Sequence, residues 1–168
     1  MNQISLLLLS AVVSGSVSFV VARVSTRYDY KLARRSRAIE HIAPRLYGLQ
    51  DLVIVANPGI VSGLEISDAI VEWNRVWKTY RIGLPRDWGF IYREANAAIG
   101  EFAGPQMFAA IDRTVWDEPL DEYNWAWQTN AELYLGHLAG CVARCDDRRP
   151  RKPLQFDAWL RDNDVRRS

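Results

Sequence analysis

ISLLLLSAVVSGSVSFVVARV, residues 4–24, is the stretch on which the architecture turns. From Ile4 to Ala22 it holds no charged side chain, and Arg23 at its exit opens a run of cations that continues through Arg27, Lys31, Arg34, Arg35 and Arg37. About 20 mostly apolar helical residues cross a bilayer core. Residues 1–25 are therefore expected to be a single transmembrane anchor. Met1, Asn2 and Gln3 carry no side-chain charge, whereas Lys and Arg crowd the downstream flank and resist translocation. That asymmetry predicts a short tail outside and a cytoplasmic C-terminal domain. A cleavable signal peptide is the competing reading, since Val20-Val21-Ala22 loosely fits a cleavage site. Such a peptide carries its positive charge before the apolar region, and here the charge follows it.

Within the span Ser10, Ser14, Ser18 and Ala22 recur every fourth residue. Small residues at that spacing let two helices approach closely, which makes them candidates for packing against a second copy or another membrane protein. The bland alternative is a serine hydroxyl bonding back to a carbonyl of its own helix. The bilayer is the first expected partner. Arg27, Lys31, Arg34, Arg35 and Arg37 are candidate contacts to anionic lipid, worth about 1 kcal/mol each near a charged surface. Fixing the topology is the simpler role for the same charges.

The rest of the 168 residues is one domain's worth of chain. A net charge of +1 hides segregation: a basic neck, a mostly acidic middle from Glu65 to Glu132, and a basic-leaning end from Arg144 to Arg167. With no strongly cationic domain, nucleic acid is not an expected partner. Cys141 and Cys145 are the only cysteines. In a reducing compartment they are not expected to form a disulfide. With His137 they make His-x-x-x-Cys-x-x-x-Cys, but on one helix the first and third members lie roughly 12 Å apart. One tetrahedral ion cannot bind all three, so the cysteines read as small buried apolar residues.

Tyr28, Leu32, Ile39, Ile42, Leu46, Leu49 and Val53 follow a three-four spacing that carries the first helix on beyond the membrane. Pro44 interrupts it and predicts a kink or break near Ala43. Asn57-Pro58-Gly59 is a stop. Ser62 and Glu65 read as a capping box for a helix whose face is Ile66, Ala69, Ile70, Trp73, Val76, Trp77 and Tyr80, ending before Gly83. Further amphipathic runs carry Trp88 to Phe102, closed by Gly104-Pro105, and Phe108 to Val115. A long helix starts near Asp117 to Pro119 and buries Leu120, Tyr123, Trp127, Ala131, Tyr134, Leu138, Cys141 and Cys145. After the basic stretch Arg148 to Pro153, Phe156, Trp159 and Leu160 suggest a last short helix, with a solvated tail as the common expectation there. No stretch alternates with period two.

The expected fold is thus all-α: an anchor at 1–25, a basic juxtamembrane helix and kinked second segment at 26–56, a helical bundle at 57–147, and a basic tail with a short helix at 148–168. Two constellations were candidates for chemistry. Asp117, Glu118, Asp121 and Glu122 among Trp116, Trp125 and Trp127 resemble a sugar-cleaving cleft, although acids also suit a helix start. Glu65, Asp68 and Glu72 share a face, but no Glu stands three residues before His41 or His137, as a carboxylate-bridged metal pair requires. No phosphate-cradling Gly loop, nucleophile elbow or His-Glu-x-x-His pair occurs. The expectation is no enzyme, no cofactor and no catalytic or metal site. The chain reads as a membrane-tethered interaction or regulatory module at the inner face, docking an unknown cytoplasmic protein. The alternatives are an accessory subunit of a membrane complex and a carboxylate-dependent hydrolase. Seven Trp and seven Tyr exceed what a small core needs, which points to aromatic contact surfaces.

Overall fold

The computed structural model describes the backbone of residues 3–56, 63–103, 125–147 and 150–167, and the side chains of 21–56, 65–103, 127–147 and 150–163. It is all-helical, with no strand among the described residues. Five helices follow in order: α1 (Gln3–Val55), α2 (Gly63–Tyr80), α3 (Ile91–Ala103), α4 (Trp125–Ala143) and α5 (Phe156–Arg167). Two 3-10 turns, Arg81–Gly83 and Arg86–Trp88, join α2 to α3.

Helix α1 is the axis of the molecule, 53 residues long. Its second half supplies Ala38, Ile42, Ala43, Leu46, Leu49 and Val53 to the core, spaced to keep one face inward. The break expected at Pro44 does not occur, because α1 continues through it. Pro44 removes the bond to the carbonyl of Glu40, and both residues are exposed, so that water can take the freed acceptor. A proline inside a helix costs about 3 kcal/mol. Burial of each large apolar side chain contributes about 1.5–3 kcal/mol, so the core residues on both sides of Pro44 outweigh it.

Helices α2 and α4 both run antiparallel to α1. On the α2 side, Tyr80 stacks on His41 with ring centroids 4.0 Å apart, and Arg45 reaches Glu72 at 3.9 Å. On the α4 side, Gln128 Nε2 donates to the carbonyls of Val53 and Ala56 at 2.8 and 3.3 Å, while Arg35 meets Asp146 at 3.5 Å. Helix α3 closes the bundle, where Tyr92 stacks on Trp73 and Trp77, and Ile99 and Phe102 line a small apolar cavity with Leu49 and Val53. The read faces of α2 and α3 are the buried ones: Ile66, Ile70, Trp73 and Trp77, then Ile91, Ala95, Ala98, Ile99 and Phe102.

The C-terminal stretch is not a solvated tail. Phe156 and Trp159 are buried and ring Tyr134, with centroids 4.7 and 5.4 Å away.

Among the described residues no helix is long and apolar enough to cross a membrane. The structure lends the expected span no support, and residues 4–20, which carry the apolar run, have no described side chains. The capping box at Ser62, the stop at 57–59 and the run from Phe108 to Val115 also lie outside the described residues.

Candidate interaction surface at the neck

Between the apolar run and the bundle, the side chains of α1 are largely uncovered by the described residues. From Val21 to Arg37 every side chain is exposed except that of Arg35, which is half-buried. Arg27, Lys31, Arg34 and Arg37 stand out on this neck, and Arg34 lies over the ring of Tyr30, 4.8 Å from its centroid. Arg35 instead turns to Asp146. Of the small-residue stripe, Ala22 is exposed, while the side chains of Ser10, Ser14 and Ser18 lie outside the described ones.

Where the neck meets the bundle, the turn Arg81–Gly83 is pressed against α1. A Cβ on Gly83 would collide with the carbonyl oxygen of Arg34 and come within 2.6 Å of the Ala38 Cβ, so only glycine allows this approach. The residues on either side of Gly83 line an open cleft of about 300 Å³. Trp77, Leu84 and Trp88 are buried in its floor, and Arg81, Ile82 and Arg86 form an exposed rim. Ile82 is 64% exposed, an apolar side chain on the same rim as Arg81 and Arg86. Beside the cleft, Lys152 bonds Asp87 at 3.0 Å and holds that carboxylate below its ordinary range.

Arg34, Arg37, Arg81, Arg86, Arg144 and Lys152 belong to the neck end, where Asp87 pairs with Lys152 and Asp146 with Arg35, and Asp51, Glu65, Asp68 and Glu101 belong to the far end. The aromatic floor and cationic rim of the cleft are the residue types of contact anchors.

A polar latch fastens the C-terminal stretch to the bundle. Glu94, 8% exposed, accepts the Phe156 N–H at 2.8 Å with one oxygen, thereby capping α5 from another helix. Its other oxygen takes Nε and a terminal nitrogen of Arg93 at 3.1 and 2.8 Å. The Tyr134 hydroxyl donates to the Leu154 carbonyl at 2.8 Å, and the Leu154 N–H donates to His137 Nε2 at 3.2 Å. Burial drives the Tyr134 hydroxyl far above ordinary phenol values, so it remains a donor. Hydrogen bonds to charged groups contribute about 1.5–3 kcal/mol, so Glu94→Ala is expected to release α5 at roughly that cost. Hydrogen exchange should show faster exchange at Leu154 to Trp159 and little change in α2.

His137 gives a pH dependence of definite sign. Burial, and then Arg151, lower its pKa, with Asp162 opposing. The folded state therefore binds fewer protons than the unfolded one. Stability is complete above about pH 6.5, the ordinary imidazole value, and falls as pH drops through the lowered folded value. Urea titrations between pH 7.5 and 5 should show that decline, and His137→Gln should flatten it.

Cys141 and Cys145 are buried and free. Burial raises both thiols, Cys145 to about 11, which keeps them protonated. The contact from Cys141 Sγ to His137 Nε2 is 3.9 Å, and no group able to hold a metal ion occurs among the described residues. Glu72 is engaged by Arg75 at 2.6 Å as well as by Arg45. Asp117, Glu118, Asp121 and Glu122 lie outside the described residues. The sequence reading missed Glu94 and the Arg81–Ile82–Arg86 rim. Glu94 had one visible signal: it falls on the buried stripe of Ile91, Ala95 and Ala98.

No protein-family model, no curated protein and no solved structure matches this chain.

Proposed function

We propose that this chain is a single-span membrane protein whose helical bundle lies at the inner face and serves as an interaction or regulatory module. The observation that carries the reading is the continuity of α1 from Gln3 to Val55: the apolar run, the cationic neck and the central core helix are one rod. A tether built in this way transmits the orientation of the anchor to the bundle. The cation asymmetry around residues 4–24 supports a cytoplasmic bundle. The cleft rimmed by Arg81, Ile82 and Arg86 supports a docking role, with an acidic, partly apolar segment of another protein as the complementary partner.

The test is carbonate extraction of membranes carrying the C-terminally tagged chain, with protease added to intact spheroplasts. The expected result is a carbonate-resistant protein whose tag survives protease until the membrane is opened. A protein washed off by carbonate, or a tag digested from outside, overturns the reading.

A further inference from the structure

The neck carries an apolar line that the bundle leaves uncovered. In a heptad frame with Ile39, Leu46 and Val53 at a and Ile42, Leu49 and Ala56 at d, this seam is covered within the bundle, where α4 runs alongside. Helix α4 ends at Ala143, and the following turn stops abreast of Arg35, the d residue that bonds Asp146. Toward the N-terminus the same frame continues with no partner among the described residues: Leu32 and Ser25 at a, Tyr28 and Val21 at d. Val21, Tyr28 and Leu32 are 62%, 66% and 49% exposed. Of the neck cations, Arg23, Arg27, Arg34 and Arg37 occupy c or f positions, on the outer side of a two-stranded coil, while Lys31 at g flanks the seam and Arg35 at d is held by Asp146. Tyr30, at f, is occupied by Arg34.

We propose that the seam from Val21 to Leu32 pairs in parallel with the same seam of a second copy. The inference rests on the membrane-anchored reading, because three turns of coil are too short to associate firmly in water. Anchoring supplies what is missing. Two copies inserted in one direction present the same residues at the same depth, so that a two-fold contact in register needs no search along the axis. The line is also continuous with an interface the molecule already has, the a and d positions that α1 presents to α4. Nearer the N-terminus the frame meets Ser18 at a and Ser14 at d, residue types that permit close approach of helices in lipid. The occupant is thus a helix of the same hand, length and register as α1 itself.

The test is cysteine scanning of full-length protein in native membranes, with copper-phenanthroline oxidation and non-reducing gels. The buried Cys141 and Cys145 are the background control. Single cysteines at Val21, Ser25, Tyr28 and Leu32 should give disulfide-linked dimer at least about five-fold more than cysteines at Arg23, Arg27, Tyr30 and Arg34, following the heptad period. A flat profile, or no dimer at any position, overturns the pairing. Carbonate extraction of the same membranes separates the two ideas. Pelleted protein without periodic cross-linking overturns the dimer and leaves the anchor. Washed-off protein overturns the anchor and, with it, the pairing that depends on anchoring.

Discussion

Trp73→Ala is expected to lower the unfolding free energy by about 3–5 kcal/mol, the range for removing a buried aromatic ring. Trp73 is fully buried, its ring 5.5 Å from that of Trp77 and 6.3 Å from that of Tyr92, so its removal empties the junction of α2 with α3. A domain with a total of about 5–15 kcal/mol is left marginal by such a loss. Trp73→Phe sharpens the prediction. The indole Nε1 is buried without a hydrogen-bond partner, so a phenyl ring forfeits volume but no bond and removes an unsatisfied donor. The phenylalanine variant should lose no more than about half the alanine cost. Urea titration of both variants measures this, and equal losses would contradict the assignment of Trp73 as a packing residue.

Gly83→Ala is the second large effect, and it acts at the neck. The added methyl meets the Arg34 carbonyl oxygen and the Ala38 Cβ, backbone and a short side chain that cannot swing aside. Overpacking of this kind costs about 1–3 kcal/mol, and relief requires the turn Arg81–Gly83 to lift from α1. Lifting it disturbs Leu84 and Trp88 in the cleft floor. The expected result is a destabilised domain with altered tryptophan fluorescence and faster exchange at Ile82 to Trp88, while Tyr134 and the α5 latch stay protected. Gly136→Ala is the contrast. The three atoms nearest its Cβ all belong to the side chain of Gln50, the first at 2.8 Å, which can rotate away, so the cost should be clearly smaller. Comparable losses from the two substitutions would contradict the close approach at the neck.

Periodicity made most of the helical core legible. Ile42, Leu46, Leu49 and Val53, then Ile66, Ile70, Trp73 and Trp77, lie buried where a 3.6-residue repeat puts them. Features that depend on a partner distant in the chain were not legible. Pro44 reads as a breaker because its cost is local, while the packing that overrides it comes from α2 and α4. Gly83 reads as a helix exit, yet its reason is the backbone of Arg34, some fifty residues earlier. Glu94 looks like a surface acid until the N-terminus of α5 arrives from 62 residues away. The basic stretch before Phe156 suggests a solvated end, whereas Tyr134 and His137 hold Leu154 by both backbone groups. The candidate site follows the same division. Its cations and exposed rings were visible as residue types, but the cleft between Arg81 and Arg86 is formed by two short turns folding over Trp77 and Trp88, which no residue pattern announces.

Neck and bundle axis are one uninterrupted helix. Ser25 and Tyr47 are both exposed, stand on nearly the same side of α1, and bracket both the neck junction and Pro44. Spin labels on Ser25→Cys and Tyr47→Cys, in membranes diluted with unlabelled protein, report that span directly by pulsed dipolar spectroscopy. A helix rises 1.5 Å per residue, so the account predicts one narrow distance near about 33 Å. A broad distribution, or a distance shorter by more than about 5 Å, would mean that the rod is broken and that the bundle does not inherit its orientation from the N-terminal run.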